Sequence, residues 1–86
     1  MKLFLTYKVW REGKHYVAYS PELEVASQGK TREAAERMIK EAIRLFLDSA
    51  RKKGTLSEIL ESAGFVRKER RWLAPSISIS SMEVLM

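Results

Sequence analysis

The sequence predicts an α+β fold: a three-stranded antiparallel sheet, a long helix packed across it, a short second helix and one or two C-terminal strands. Two patterns carry this prediction. Near the N terminus, apolar and polar residues alternate with the period of two that is typical of half-buried strands. In the middle of the chain, apolar residues recur at helical spacing. Strands followed by helices favour α+β with a mainly antiparallel sheet.

The first three strands are predicted from alternation and from the residues that interrupt it. The first contains four alternating apolar residues, Leu3, Leu5, Tyr7 and Val9. Gly13 predicts a tight turn, because glycine adopts positive φ readily. The second strand is expected over Lys14–Ser20, where Pro21 ends it because proline cannot donate to a ladder. A short third strand is expected over Leu23–Gln28, closed by Gly29.

A long helix is predicted between Thr31, as the N-cap, and Gly54, which stops it. At ~1.5 Å per residue it extends about 33 Å, enough to cross a small sheet. Its buried face is expected to contain Ala35, Met38, Ile39, Ala42, Phe46 and Ala50. On its polar face, residues four apart predict three ion pairs: Glu33 with Arg37, Glu36 with Lys40, and Asp48 with Lys52.

The C-terminal third is predicted to contain a short helix and one or two strands. Thr55–Glu58 has the pattern of a capping box and Gly64 ends the helix that follows. Phe65–Leu73 suggests a hairpin around a charged middle. Ser76–Met86 alternates as a strand would, with a change of phase near Ser80 that a bulge or turn would explain.

Length and composition predict a single domain, residues 1–86, in the cytoplasm. The chain has 86 residues, no cysteine, 45% hydrophobic and 31% charged residues, and a net charge of +5. These values indicate a globular chain without disulfides or thiolate metal sites. No apolar run reaches the ~20 residues of a membrane helix. The first apolar stretch meets charge again at Lys8, too soon for a signal peptide.

Little in the sequence points to catalysis, and we expect no catalytic, cofactor-binding or metal-binding residues. His15 is the single histidine and Asp48 the single aspartate. Metal-dependent hydrolases need several carboxylates, and phosphate loops need glycine-rich runs, neither of which stands out here. Glu22 and Glu24 are close in sequence, but with no third ligand they are expected to be solvated. A ribonuclease or other hydrolase is the least favoured hypothesis.

Two sets of residues are candidates for binding. Basic residues beside an aromatic can hold phosphate while a base stacks, a pattern found in Arg67, Lys68, Arg70, Arg71 and Trp72. The alternative is a solvated hairpin tip whose Trp72 packs inward. Phe4 and Trp10 lie on the strand face opposite Leu3 and Leu5, and Met82–Met86 is apolar. Such surfaces suggest a subunit interface, so we expect a homodimer or higher homo-oligomer.

The middle of the chain resembles the HicB-like antitoxin family. The resemblance covers about residues 14–47 and rests on three runs in order: Tyr16–Leu23, Ala26–Ala35 and Ile39–Ile43. The most specific part is the Ser-Gln-Gly-x-Thr entry into a helix that contains Ile-Lys-Glu-Ala-Ile. The resemblance implies a partial ribonuclease-H-like fold. The turn after Pro21 is one residue shorter than is usual in the family, with Glu24 where proline is expected.

For function, the resemblance implies inhibition by binding. Family members cover a small RNA-cleaving toxin, HicA, so that it cannot reach messenger RNA. Phe4, Trp10, Glu22 and Glu24 are then the candidate partner-binding residues. No helix-turn-helix or ribbon-helix-helix segment is recognisable after Gly64, so no separate DNA-binding domain is expected. The alternatives are a small basic nucleic-acid-binding module, which would bind weakly, and an orphan HicB-like protein without a toxin.

Overall fold

The computed structural model describes residues 1–86 and confirms the predicted α+β class. Three antiparallel strands form one sheet in the order β1-β2-β3, namely β1 (Lys8–Glu12), β2 (His15–Ser20) and β3 (Val25–Gly29). A long helix, α1 (Arg32–Lys53), packs across this sheet and a short helix, α2 (Leu56–Ser62), follows it. The chain then forms a separate two-stranded hairpin, β4 (Val66–Lys68) and β5 (Arg71–Leu73).

The sheet follows the predicted turns with shifted strand boundaries. Gly13 has φ of +64° and closes the β1–β2 turn, so that Trp10 pairs with Val17. The β2–β3 turn occupies residues 21–24 and contains Glu24 at φ +55°. This turn delays the start of β3 to Val25, two residues later than alternation predicts.

Both predicted ends of α1 are confirmed. The Thr31 hydroxyl accepts a hydrogen bond from the Ala34 amide at 3.0 Å, and Gly54 adopts φ +76° at the C-cap. The sheet lies very close to the start of α1, since a Cβ on Gly29 would be 2.6 Å from the Ala35 nitrogen. A side chain at position 29 therefore conflicts with helix backbone.

The face of α1 that the sheet covers is narrower than predicted. The buried residues are Ala35, Ile39, Ile43 and Ala50. Met38 and Phe46, expected to be buried, are 49% and 37% exposed. The reason is geometric, because three strands cover one row of helix positions and leave the flanking row uncovered.

One of the three predicted helix pairs forms an ion pair. Asp48 bonds Arg51 at 3.0 Å and lies 3.8 Å from Lys52. Glu36 instead accepts a hydrogen bond from the Tyr7 hydroxyl at 3.3 Å, and the Lys40 ammonium lies over the Tyr7 ring. The predicted pair of Glu36 with Lys40 is replaced by contacts of both side chains with Tyr7, which directly precedes β1.

The C-terminal third contains the predicted hairpin but no capping box. Thr55 makes no side-chain cap, and its hydroxyl donates instead to the Ala50 carbonyl at 3.4 Å, because the αL turn at Gly54 places it against the end of α1. Behind α2 lies a second small core of Leu60, Phe65 and Trp72. Leu5 and Leu47 pack against both this cluster and the one beneath α1.

Two extended segments complete the chain: the N-terminal segment, residues 1–7, and the C-terminal segment, residues 74–86. Neither contains a helix or strand, so the predicted strand over Ser76–Met86 and the N-terminal part of the first strand are wrong. None of the backbone–backbone hydrogen bonds outside helices and strands involves them. The alternation is still visible in side-chain burial, since Leu3, Leu5 and Tyr7 are half-buried and the residues between them are exposed. None of the helices has the length and apolar character that a membrane span requires.

Candidate partner-binding surfaces

Glu22 ties the N-terminal segment to the β2–β3 turn. Glu22 is 7% exposed, and its carboxylate accepts hydrogen bonds from the Thr6 amide at 2.8 Å and the Thr6 hydroxyl at 3.0 Å. The Ser20 hydroxyl donates to the same carboxylate at 3.2 Å. Burial with these donors differs from the solvated position expected from sequence, and it makes Glu22 a structural clasp.

An acidic groove lies beside this clasp, between the β2–β3 turn and α2. It has a volume of about 310 Å³ and is lined by Glu22, Leu23, Glu24, Glu58, Ile59, Ser62 and Ala63. No lysine or arginine lines it. Glu24 and Glu58 are exposed, and neither carboxylate forms an ion pair within the chain. The groove is therefore a local negative surface on a chain of net charge +5.

Phe4 and Trp10 lie on the predicted face but in different surroundings. Trp10, in β1, is 36% exposed, and the Lys8 ammonium lies 5.1 Å from its ring centroid. Phe4, in the N-terminal segment, is 75% exposed. Val9, the neighbour of Trp10 in β1, packs against the core beneath α1, so alternation places Trp10 on the opposite face of the sheet. Neither Phe4 nor Trp10 lines the acidic groove.

The basic cluster forms the tip of the β4–β5 hairpin. Arg67 pairs with Trp72 across the strands, and its guanidinium lies 5.7 Å from the Trp72 ring centroid. Trp72 is only 9% exposed because it packs on Leu60 and Phe65. The inward-packing alternative is therefore confirmed, and Trp72 offers no exposed ring to a base.

An exposed aromatic nevertheless stands near the remaining basic residues. A groove of about 610 Å³ separates the N-terminal segment from the hairpin, lined by Met1, Lys2, Phe4, Arg70, Arg71, Trp72, Leu73 and Ala74. We call it the N-terminal groove. No carboxylate lines it, and Phe4 rather than Trp72 is its accessible ring. Arg67 and Lys68 do not line it.

His15 and Asp48, the single histidine and the single aspartate, lie outside these surfaces. His15 lies with Gln28, Gly29 and Lys30 around a shallow depression. No three of the His, Asp and Glu side chains come together as potential metal ligands. The pKa of Asp48 is lowered, chiefly by the hydrogen bond from Arg51 and then by the charge of Lys52. These contacts belong to the surface of α1.

Sequence reasoning missed the second wall of the acidic groove and one side of the N-terminal groove. Glu58 is part of the capping-box pattern, which gives it a local role, and Lys2 only precedes the first apolar residue of the alternating pattern. Only tertiary packing brings α2 to the β2–β3 turn and the hairpin to residue 2. No signal in the sequence pairs these positions.

No family model matches this sequence, and neither a curated protein nor a solved structure is significantly similar to it.

Proposed function

We propose that this chain is an antitoxin-like protein that binds and neutralises a small HicA-type RNA-cleaving toxin in the cytoplasm, and that it acts as a homodimer rather than as an enzyme. The proposal starts from the resemblance over residues 14–47. The observation that carries it further is the acidic groove. A toxin that grips RNA needs a basic surface, and a basic surface is attracted to clustered carboxylates.

The groove removes an electrostatic objection to this function. A net charge of +5 would repel a basic toxin at long range. At physiological salt, however, interactions between exposed charges are screened beyond about 8 Å. The carboxylates of the groove would then dominate the field that a docked basic side chain meets.

The test is co-expression with the small protein encoded beside its gene, followed by affinity purification and a growth assay. We expect a small basic protein to co-purify and its toxicity to be suppressed. The variants Glu24→Lys and Glu58→Lys should abolish suppression, because each places a cation in the groove. Glu33→Lys, an equal charge change at the exposed start of α1, is the matched control and should suppress like the wild type.

A harmless neighbour that does not co-purify would overturn the toxin partner and favour an orphan HicB-like protein. Equal loss of suppression in Glu33→Lys would move the interface away from the acidic groove. Lysine is tolerated at position 24 as well as glutamate is, because both are L residues with a Cβ at the same positive φ.

A second function, weak binding of single-stranded nucleic acid, is favoured by the N-terminal groove. Phe4 would stack on a base while Lys2, Arg70 and Arg71 contact phosphates. Binding of a labelled single-stranded RNA should weaken steeply with salt. Phe4→Ala and Arg70→Ala should reduce it, whereas Lys52→Ala at the end of α1 should not. Binding that is unchanged in the first two variants would remove this site.

A further inference from the structure

The chain exposes far more surface than a monomer of its size. Its accessible surface is 7110 Å², whereas a folded monomer of 10.0 kDa exposes about 5,200 Å². The excess of about 1,900 Å² is more than the ~800 Å² that one partner buries in a standard interface. The radius of gyration, 14.9 Å, likewise exceeds the about 12 Å expected for this length.

Much of the apolar part of this surface belongs to the two extended segments. In the C-terminal segment the exposed fractions are 75% for Ile79, 83% for Met82, 60% for Val84 and 92% for Leu85. Glu83 is its only charged residue, and Lys2 is the only charged side chain of the N-terminal segment. The C-terminal segment, which has no basic residue and one carboxylate, suits neither a phosphate backbone nor a basic toxin.

The same segments leave their backbone polar groups unpaired within the chain. The Thr6 amide is satisfied by Glu22, but no backbone–backbone bond outside the regular elements reaches either segment. Two extended, apolar segments with free N–H and C=O groups are complementary to each other, because strand addition satisfies both.

Within the chain, part of the C-terminal segment lies beside the end of the N-terminal segment. Ile77, Ser78 and Ile79 line a cavity of about 150 Å³ with Thr6, Tyr7, Lys8, Tyr19 and Pro21. The C-terminal segment is in contact with the packed part of the chain at Pro75, whose ring is 3.2 Å from the Cβ position of Gly64. From this fixed point its 13 residues can extend about 40 Å at ~3.3 Å per residue, close to the 45 Å long axis of the protein.

We propose that two copies of this chain exchange their C-terminal segments, each segment pairing with the N-terminal segment, residues 1–7, of the other copy. This inference rests on the dimeric state proposed above but not on the toxin. The exchange makes an isologous, closed dimer in which the contacts around Thr6–Lys8 come from the partner. It covers the apolar residues that a single chain leaves exposed.

The first test is the oligomeric state of the full chain by sedimentation equilibrium. We expect a dimer. Ile79→Glu and Val84→Glu, which place a charge in the exchanged segment, should raise the dimer Kd by at least about tenfold. Leu45→Glu is the matched control: Leu45 is 61% exposed on α1 beside Met38 and Phe46, and its substitution should leave the dimer intact. Circular dichroism would check that each variant keeps its helices.

The second test separates exchange from other dimers. Because the chain has no cysteine, Lys8→Cys and Ser78→Cys chains can be mixed, refolded together and oxidised. Exchange predicts a covalent heterodimer in the mixture, little cross-linking in either variant alone, and a covalent dimer from the double variant.

A strict monomer would overturn both the dimer and the exchange. An intramolecular disulfide in the double variant, or a dimer disrupted by Leu45→Glu but not by Ile79→Glu, would overturn the exchange alone. A toxin assay that fails leaves these outcomes unchanged, since none of them measures neutralisation.

Discussion

The sheet-and-helix layer, residues 8–53, contains regular strands, whereas the two extended segments contain none. The same alternation of apolar and polar residues occurs in both regions. Lys8–Glu12 becomes a strand because a glycine turn brings β2 beside it, with Lys8 opposite Tyr19. Continuing that register would place Thr6 opposite Pro21, which has no N–H to donate. The ladder stops there, and the Thr6 amide turns to the Glu22 carboxylate. Alternation thus specifies a face, whereas a strand also needs a neighbour.

The largest expected difference between the two regions is in the cost of removing an isoleucine. Ile39 is fully buried in the layer, and Ile39→Ala should lower the free energy of unfolding by about 3 kcal/mol. Ile79→Ala should cost only what the dimer contributes, so its effect should grow with protein concentration. Denaturant unfolding at two concentrations measures both. If Ile39→Ala and Ile79→Ala lowered the free energy of unfolding equally at both protein concentrations, the two regions would not differ in this way.

A smaller loss of unfolding free energy is expected at Gly29, where the sheet lies closest to α1. Gly29→Ala forces a Cβ against the backbone of Ala34 and Ala35, which should cost roughly 1–3 kcal/mol. Gly13→Ala is the control for backbone conformation, since φ at Gly13 is positive, unlike at Gly29, and nothing lies within 4 Å of the added atom. Its cost should be smaller, and a larger loss at Gly13 would show that backbone conformation outweighs packing.

The clasp should connect the layer to the N-terminal segment. Glu22→Gln removes a charged acceptor and should lower the free energy of unfolding by about 1.5 kcal/mol, the contribution that a hydrogen bond to a charged group typically makes. Thr6→Val removes the hydroxyl donor. Because the two side chains bond each other, the double variant should lose less than the sum of the singles. Additive losses in thermal unfolding would mean that the clasp contributes no coupling.

The smallest expected effect is at Asp48 on the solvent side of α1. Arg51 and Lys52 hold the pKa of Asp48 below its usual range, so ionised Asp48 favours the folded state at pH values above the unfolded pKa of about 3.9. This contribution is lost as the pH falls through the folded pKa. Asp48→Asn should be slightly less stable near pH 6 and equal to the wild type near pH 2. A difference that persists at low pH would point to another cause.

The parts of the fold that depend on local chemistry could be predicted from the sequence. Thr31 and Gly54 mark the ends of α1 because a hydroxyl cap and a residue at positive φ are needed within a few positions. The capping box failed at Thr55, since the αL turn at Gly54 redirects its hydroxyl to Ala50. Of the predicted binding residues, Glu24 lies in the acidic groove, Phe4, Arg70 and Arg71 share the N-terminal groove, and Trp72 is buried.

By itself, the sequence determined the order of the strands and helices, both ends of α1 and which strand face is apolar, because these follow from backbone conformation and side-chain periodicity within a few residues. Only the tertiary structure decided which row of α1 is covered, that Glu22 is a buried clasp, and that Glu58 joins Glu24 across a groove. Such outcomes depend on contacts between residues distant in sequence, whose geometry no local pattern encodes. For the same reason, the alternating C-terminal segment remains without a strand partner in its own chain.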